Sequence, residues 1–198
     1  MKARTATLLY RDDGPVARAV GGLWNAPSPP LFPTMLGVAL PFAVLGAEPR
    51  PGLSVFAAGW CAIIGGLVAG HAHAGRLDWL VVPMLRAAEY AFIGGLGLGH
   101  GVPPALVLAL LGALAFHHYD TVYRVLQRRE PASPWLGLAA LGWDGRMLVV
   151  ALGVMAGVPT VLFAVLTGVL WLLFLAESTM SWVRGVGARR ATADVEGD

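Results

Sequence analysis

With 198 residues, 57% of them hydrophobic, 13% charged and a mean hydropathy of +0.67, the chain lies outside the range of soluble domains and reads as an all-α integral membrane protein. It has no P-loop, no G-x-S-x-G and no basic tract beyond short Arg clusters, which leaves a soluble nucleotide-binding fold, a nucleic-acid binder and a serine hydrolase without support. The single cysteine, Cys61, excludes an intrachain disulfide and a Cys-based metal site. All but Lys2 of the 14 basic residues are Arg, which with abundant Ala, Gly and Leu points to a GC-rich bacterial genome and to the bacterial cytoplasmic (inner) membrane.

Residues 1–30 are polar and turn-rich and are expected to be cytoplasmic or interfacial. Tyr10-Arg11-Asp12-Asp13-Gly14 reads as a helix start, and Pro15 to Trp24 as a short amphipathic helix in the interface with Trp24 at the headgroups; a loosely ordered tail is the alternative. The stretch lacks an apolar core, so no cleavable signal peptide is expected. Six spans are expected within residues 31–186: about Leu31–Ala47, Leu53–His71, Leu77–Leu98, Val102–Leu126, Arg146–Val158 (or from near Leu136) and Val161–Val183. Pro33 and Pro41 would kink or tilt the first, and Glu48-Pro49-Arg50-Pro51 is a turn. Gly66-x-x-x-Gly70 allows a close helix contact. Ala74-Gly75-Arg76 is a hinge, Trp135 and Trp143 are interfacial anchors, and Pro159 separates the last two spans. Residues 187–198 read as a disordered cytoplasmic tail.

Charge sets the orientation. Lys2, Arg4, Arg11 and Arg18 precede the first span, Arg76 follows the second, Arg124, Arg128, Arg129 and Arg146 flank the connection after the fourth, and Arg184, Arg189 and Arg190 follow the sixth. The opposite loops hold only Arg50, so both termini are expected in the cytoplasm, in agreement with an even number of spans.

The polar residues inside the spans carry the functional question. In Phe116-His117-His118-Tyr119-Asp120-Thr121-Val122-Tyr123-Arg124, a helix puts His117, Asp120, Thr121 and Arg124 on one narrow face. Arg86, Glu89 and Asp78 share a stripe on span three, as do Glu177, Ser181 and Arg184 on span six; Asp144 and Arg146 stand at the mouth of span five. Each charge costs about 2.5–3.5 kcal/mol at a helix centre, so the set needs water or one another. Two arrangements follow. One is a polar cavity open to the cytoplasm, where Arg86, Arg124 and Arg184 suit a phosphate. The other is a set of internal ion pairs, Arg86 with Glu89 and Asp120 with Arg124, that fix helix packing. His118 is expected to face away from His117, His71 and His73 to snorkel at the interface, His100 to be solvated, and Tyr119 and Tyr123 to pack on each other.

The order of these features resembles the CDP-alcohol phosphatidyltransferase family, whose signature is D-x2-D-G-x2-A-R-x8-G-x3-D-x3-D. Asp13-Gly14-Pro15-Val16-Ala17-Arg18 matches its middle literally, but the match is a coincidence: position 10 is Tyr, positions 27, 31 and 35 are Pro, Leu and Met, and the stretch precedes every span. Aligned by architecture, Arg86-Ala87-Ala88-Glu89-Tyr90 is similar to the Arg-x-x-Glu-Tyr that follows the last signature aspartate in many members. The two aspartate positions then fall on Val81 and Leu85, and the end of span two, Gly65 to His71, has no acid. Arg11-Asp12-Asp13-Gly14 is similar to the segment before the interfacial helix of some members. More narrowly, Gly75-Arg76-Leu77-Asp78-Trp79, the Phe116–Arg124 stretch and Gly142-Trp143-Asp144-Gly145-Arg146 resemble an uncharacterised bacterial membrane domain often joined to a true CDP-alcohol phosphatidyltransferase.

The resemblance implies six helices after an interfacial helix and a cytoplasm-facing polar cavity for a phosphate-bearing ligand of phospholipid or polyol-phosphate headgroup assembly. On that reading Arg86, Glu89, Tyr123, Arg124, Asp144, Glu177 and Arg184 bind the ligand and His117 or Asp120 is a general base. It also implies Mg²⁺ or Mn²⁺, with the family's own ligands absent and Asp78, Asp120 and Glu177 as the acids left to hold a repositioned ion. The alternative is a non-catalytic pseudoenzyme that lies among membrane lipids and pairs with itself or with an active CDP-alcohol phosphatidyltransferase. A small transporter is a third reading, against which stand the lack of an internal repeat and of a helix broken near the midplane.

Overall fold

The computed structural model describes residues 10–23, 29–45, 50–71, 75–128 and 134–196, without the side chains of 44–45, 128, 134 and 184–196. Expectations for Lys2, Arg4, Trp24, Glu48, Pro49, His73, Ala74 and Arg129, and for the side chains of Arg128 and Arg184, fall outside it. Among the described residues there is no strand. The helices are α1 (Pro15–Leu23), α2 (Leu31–Leu45), α3 (Pro51–Gly66), α4 (Val81–Gly99, after a 3₁₀ turn at Asp78–Leu80), α5 (Pro104–Tyr123), α6 (Pro134–Ala139), α7 (Gly142–Met155) and α8 (Pro159–Glu196). Pro51, Pro104 and Pro159 each open a helix, where the missing N–H removes a donor that has no intrahelical partner.

Four helical stretches are long and apolar enough to cross a membrane: Asp78–Gly99, Pro104–Gln127, Trp135–Met155 and Pro159–Val183. They lie where the last four spans are expected. Leu31–Ala43 and Pro51–Gly66 are apolar but shorter. At about 1.5 Å per residue the second rises only about 24 Å, less than a hydrocarbon core of about 30 Å. α2 and α3 form a hairpin in which the Trp60 indole N–H donates to the Leu36 carbonyl at 3.0 Å. α5 lies beside α8, where the Trp171 N–H donates to the Ala109 carbonyl at 3.1 Å. The core between them holds Phe92, Leu110, Leu114, Met147, Phe163 and Phe174, all fully buried or nearly so.

Three features differ from expectation. Trp143 is fully buried rather than interfacial, because its ring fills the space beside Gly65, where an added Cβ would lie 2.9 Å from the ring edge. The backbone of α8 is helical to Glu196, through a stretch expected as a disordered tail; its Ala and Arg residues favour helix. The expected fifth span is interrupted between α6 and α7, where Leu141 (φ +65°) and Gly142 (φ +58°) are left-handed.

That interruption admits the N-terminal segment. The Trp143 N–H donates to the Asp12 carbonyl at 3.2 Å, and a Cβ on Gly142 would run into the Gly14 backbone. From there α1 runs across the end of α3. A Cβ on Gly66 would lie 2.9 Å from Ala17 Cα, and one on Gly70 3.1 Å from the Gly21 carbonyl oxygen. The Gly66-x-x-x-Gly70 pair thus receives α1 closely. Gly142→Ala adds a methyl group that the Gly14 backbone must yield to, at a φ that L-residues resist. It is expected to cost at least about 1–3 kcal/mol, seen as a lowered melting temperature in detergent, whereas Gly52→Ala, whose Cβ meets nothing, leaves it unchanged.

Candidate functional site: a buried ion network

The residues that opened the interior to charge are drawn together around the N-terminal segment. The fully buried guanidinium of Arg146 on α7 donates from Nε to Glu89 at 2.6 Å, from Nη2 to Asp12 at 2.8 Å and from Nη1 to the Ala140 carbonyl at 3.1 Å. All three nitrogens are occupied, with the forked geometry that only arginine offers. Arg86, one turn before Glu89 on α4, bonds it at 3.1 Å, lies 3.8 Å from Asp12 and donates to the Tyr10 carbonyl at 2.8 Å. The Arg86–Glu89 pair expected from the i, i+3 spacing is therefore formed, but inside a larger network.

Both histidines of α5 face the same carboxylate. His117 Nε2 lies 3.5 Å from Asp12 and His118 Nε2 3.7 Å from it. His118 does not point away from His117 as expected. It is turned in by the Tyr90 hydroxyl, which meets its Nδ1 at 2.6 Å. Burial pushes the Asp12 carboxyl up, but Arg146, with His117 and His118 beside it, outweighs burial and holds it well below the usual carboxylate range.

Asp13 and Asp144 complete the seat of this segment. Asp13 accepts from Arg11 Nε at 2.9 Å and from the Trp143 indole at 2.9 Å, and Arg11, itself fully buried, donates to the Gly65 carbonyl at 2.9 Å. Asp144 accepts from the backbone N–H groups of Gly14 (2.5 Å), Val16 (2.9 Å) and Ala17 (3.0 Å). It is an N-cap supplied by another helix: Pro15 has no N–H, so one carboxylate satisfies the first turn of α1 and meets its positive dipole end. Asp144, expected among ligand-binding residues, holds α1.

A second polar group lies on the α5–α8 seam. Arg124 reaches Asp120 at 2.8 Å, the i, i+4 pair expected, and Glu177 at 3.2 Å; the Ser178 hydroxyl donates to Asp120 at 3.2 Å. Tyr123 stacks between Tyr119 and Trp182. His117, which belongs to the first group, stacks its ring on Phe174 of α8 with centroids 4.1 Å apart. The two candidate bases thus stand in different groups: His117 faces Asp12, and Asp120 faces Arg124 and Ser178.

The Mg²⁺ or Mn²⁺ that the resemblance implies does not fit these residues. Val81 and Leu85, at the two aspartate positions, are buried core residues, and Trp143 and Leu85 pack against Gly65 at the end of α3. Of the acids left, Asp78 accepts from the Gly75 N–H at 2.6 Å, while Asp120 and Glu177 share Arg124. No three His, Cys, Asp or Glu side chains form a metal-holding group among the described residues.

Asp12, Asp13, Arg11, His118, Tyr90 and Arg146 were not among the expected site residues. A usable signal existed: three consecutive charges, Arg11-Asp12-Asp13, before a Gly-Pro helix start in a chain with few charges. The fold and the site define an all-helical membrane protein whose N-terminal segment is locked into its helices by a buried ion network. The chain belongs to a family of unknown function (DUF5941), whose model matches residues 2–198. No curated protein and no solved structure matches it.

Removing Arg146 strands two buried carboxylates. Arg146→Met is expected to cost about 3–5 kcal/mol, and adding Asp12→Asn and Glu89→Gln to the same chain should return part of that loss in thermal unfolding. Because the folded-state value of Asp12 is depressed, its contribution is full above about pH 4, the unfolded aspartate's value, and fades as pH falls through the folded one. Asp12→Asn is therefore expected to melt below the wild type at neutral pH, and the difference to shrink in more acidic buffers. A gap that is constant down to strong acid would show that the carboxylate's charge contributes nothing.

Proposed function

We propose that the protein is a non-catalytic membrane partner: a unit of CDP-alcohol phosphatidyltransferase-like architecture that pairs with an active enzyme of that kind and stabilises it. One observation carries this reading. Where the resemblance asks for metal-binding aspartates, Val81 and Leu85 are packed in the core, and the neighbouring charges Asp12, Arg86, Glu89 and Arg146 are committed to one another. A chemical step needs charges whose best partners appear only in the transition state; here the partners are built in.

In this reading α2 and α3 dip through the bilayer as a tilted or locally thinned pair, giving six spans with α4, α5, α6–α7 and α8. The Arg distribution puts both termini in the cytoplasm, α1 lies at the cytoplasmic interface, and the membrane is the bacterial inner membrane. A second reading, a phosphate-bearing ligand held for headgroup assembly, is favoured by Arg124, whose buried Nε has no hydrogen-bond partner among the described residues.

Co-expression with a bacterial CDP-alcohol phosphatidyltransferase tests the choice. The expected result is co-purification, several-fold lower activity of the enzyme when this chain is omitted, and no transfer from CDP-diacylglycerol by this chain alone with Mg²⁺ or Mn²⁺. Turnover by the isolated chain that is abolished by Asp120→Asn would replace the partner reading with the enzyme reading.

A further inference from the structure

We propose that Arg86, Arg146, His117 and His118 form an oxyanion site for a phosphate group, and that the chain's own Asp12 carboxylate fills it in the closed form described above. The four side chains come from α4, α5 and α7, yet the carboxylate they surround belongs to a segment outside all three helices. With Asp12 withdrawn, Arg86 and Arg146 face Glu89 alone, and a buried cation in excess demands an anion.

The fit of Asp12 is incomplete in a way that a larger oxyanion would repair. Among the side chains of the described residues only Arg146, at 2.8 Å, is within ordinary hydrogen-bonding distance of it; His117, His118 and Arg86 stand at 3.5, 3.7 and 3.8 Å. His118 Nε2 is buried without a hydrogen-bond partner among the described residues. In the tautomer in which the Tyr90 hydroxyl donates to Nδ1, the proton is on Nε2, 3.7 Å from Asp12. A phosphate spreads its charge over more oxygens than a carboxylate and can reach donors on several sides.

The geometry supplies a fixed anchor beside Asp12. α1 is held independently, by Asp144 at its first turn and by the Gly66 and Gly70 contacts along its length. For Asp12 to leave with Tyr10 and Arg11 while α1 stays docked, the Trp143 N–H bond to the Asp12 carbonyl and the bonds of buried Arg11 to Asp13 and to the Gly65 carbonyl must break; the departure of the Tyr10 carbonyl then frees Arg86 as well. Charge then selects the ligand class. A monoanionic phosphodiester replaces the Asp12 carboxylate one for one, whereas a dianionic monoester would need a histidine to take up a proton. A phosphodiester can come from a membrane phospholipid or from a soluble molecule.

The test uses the full chain and two sources of the diester. Dimethyl phosphate is titrated onto detergent-solubilised wild type, Asp12→Ala and Asp12→Asn, with thermal stability as the readout at constant ionic strength. Wild type is also placed in phosphatidylglycerol nanodiscs and in phosphate-free alkyl maltoside micelles, with hydrogen exchange read at residues 10–13 and along α1. If the Asp12-out form is a tenth of the population or less, removing the carboxylate tightens dimethyl phosphate binding by at least about tenfold. Adding Arg146→Gln to either variant abolishes that gain. The asparagine variant, nearly isosteric, serves if the alanine variant does not fold. Faster exchange at 10–13 but not in α1, in phosphatidylglycerol and not in phosphate-free micelles, assigns the lipid source; the same change in those micelles with dimethyl phosphate alone assigns a soluble one. Equal affinity in wild type and variants, a gain that survives Arg146→Gln, or no binding by any of them overturns the proposal. Whether the chain supports a partner enzyme is read in the co-expression assay, so failure of either reading is seen separately; binding here would show that the commitment of Asp12 to Arg146 is exchangeable.

Discussion

The guanidinium of Arg146 is the point on which this structure turns. Its three nitrogens tie α7 to Glu89 of α4, to Asp12 of the N-terminal segment and to the Ala140 carbonyl just before the break between α6 and α7. A lysine would bring a point charge without the fork, and could not meet three acceptors in fixed directions. Its burial is tolerable only because every nitrogen is bonded and two carboxylates are present. The position of Asp12 follows from it, and with Asp12 the backbone that passes Leu141 and Gly142.

From that constraint the surroundings can be read outward. The left-handed pair Leu141 and Gly142 turns the chain so that Arg146 and Asp144 are presented on one side and the Asp12–Gly14 backbone fits against them. Asp144 then starts α1, and α1 proceeds over the glycines at the end of α3. Trp143 shares the work: its ring packs at Gly65 and its N–H holds Asp13. A single five-residue stretch, Gly142 to Arg146, thus seats a segment about 130 positions away in sequence, as the separations of 127 to 134 between bonded residues record.

That distance explains what the sequence could and could not disclose. Apolar runs located the four long helices, because burial in lipid leaves a compositional trace on every residue of a span. Helical spacing disclosed Arg86 with Glu89 and Asp120 with Arg124, because those partners lie within one turn. Asp12 has no periodic relation to Arg146, His117 or Glu89, so nothing in local spacing could place it among them. The same holds for Asp144, which as an acid at a span mouth reads as a ligand residue, although its partners are the N–H groups of another helix. The break at Leu141 was hidden for a different reason: a leucine at positive φ is imposed by tertiary contact and is opposed by its own propensity.

The two polar groups also differ in what they allow. On the α5–α8 seam the partners stand on two long helices: Asp120 and Arg124 share α5, and Glu177 and Ser178 share α8, so they cannot separate without moving whole spans. Around Arg146, Glu89 is fixed in α4 in the same way, but Asp12 is attached through a short non-helical stretch ahead of α1. Asp144 secures α1 without any help from Asp12. The fold therefore joins a rigid basic frame, built from three helices, to an acid on a separate tether. An acid needed only to neutralise Arg146 would be more stably supplied from a helix, as Glu89 is. Placed ahead of α1, Asp12 depends for its position on the bonds that Arg11, Asp13 and the Asp12 carbonyl make to Gly65 and Trp143, and that dependence sets this group apart from the α5–α8 seam.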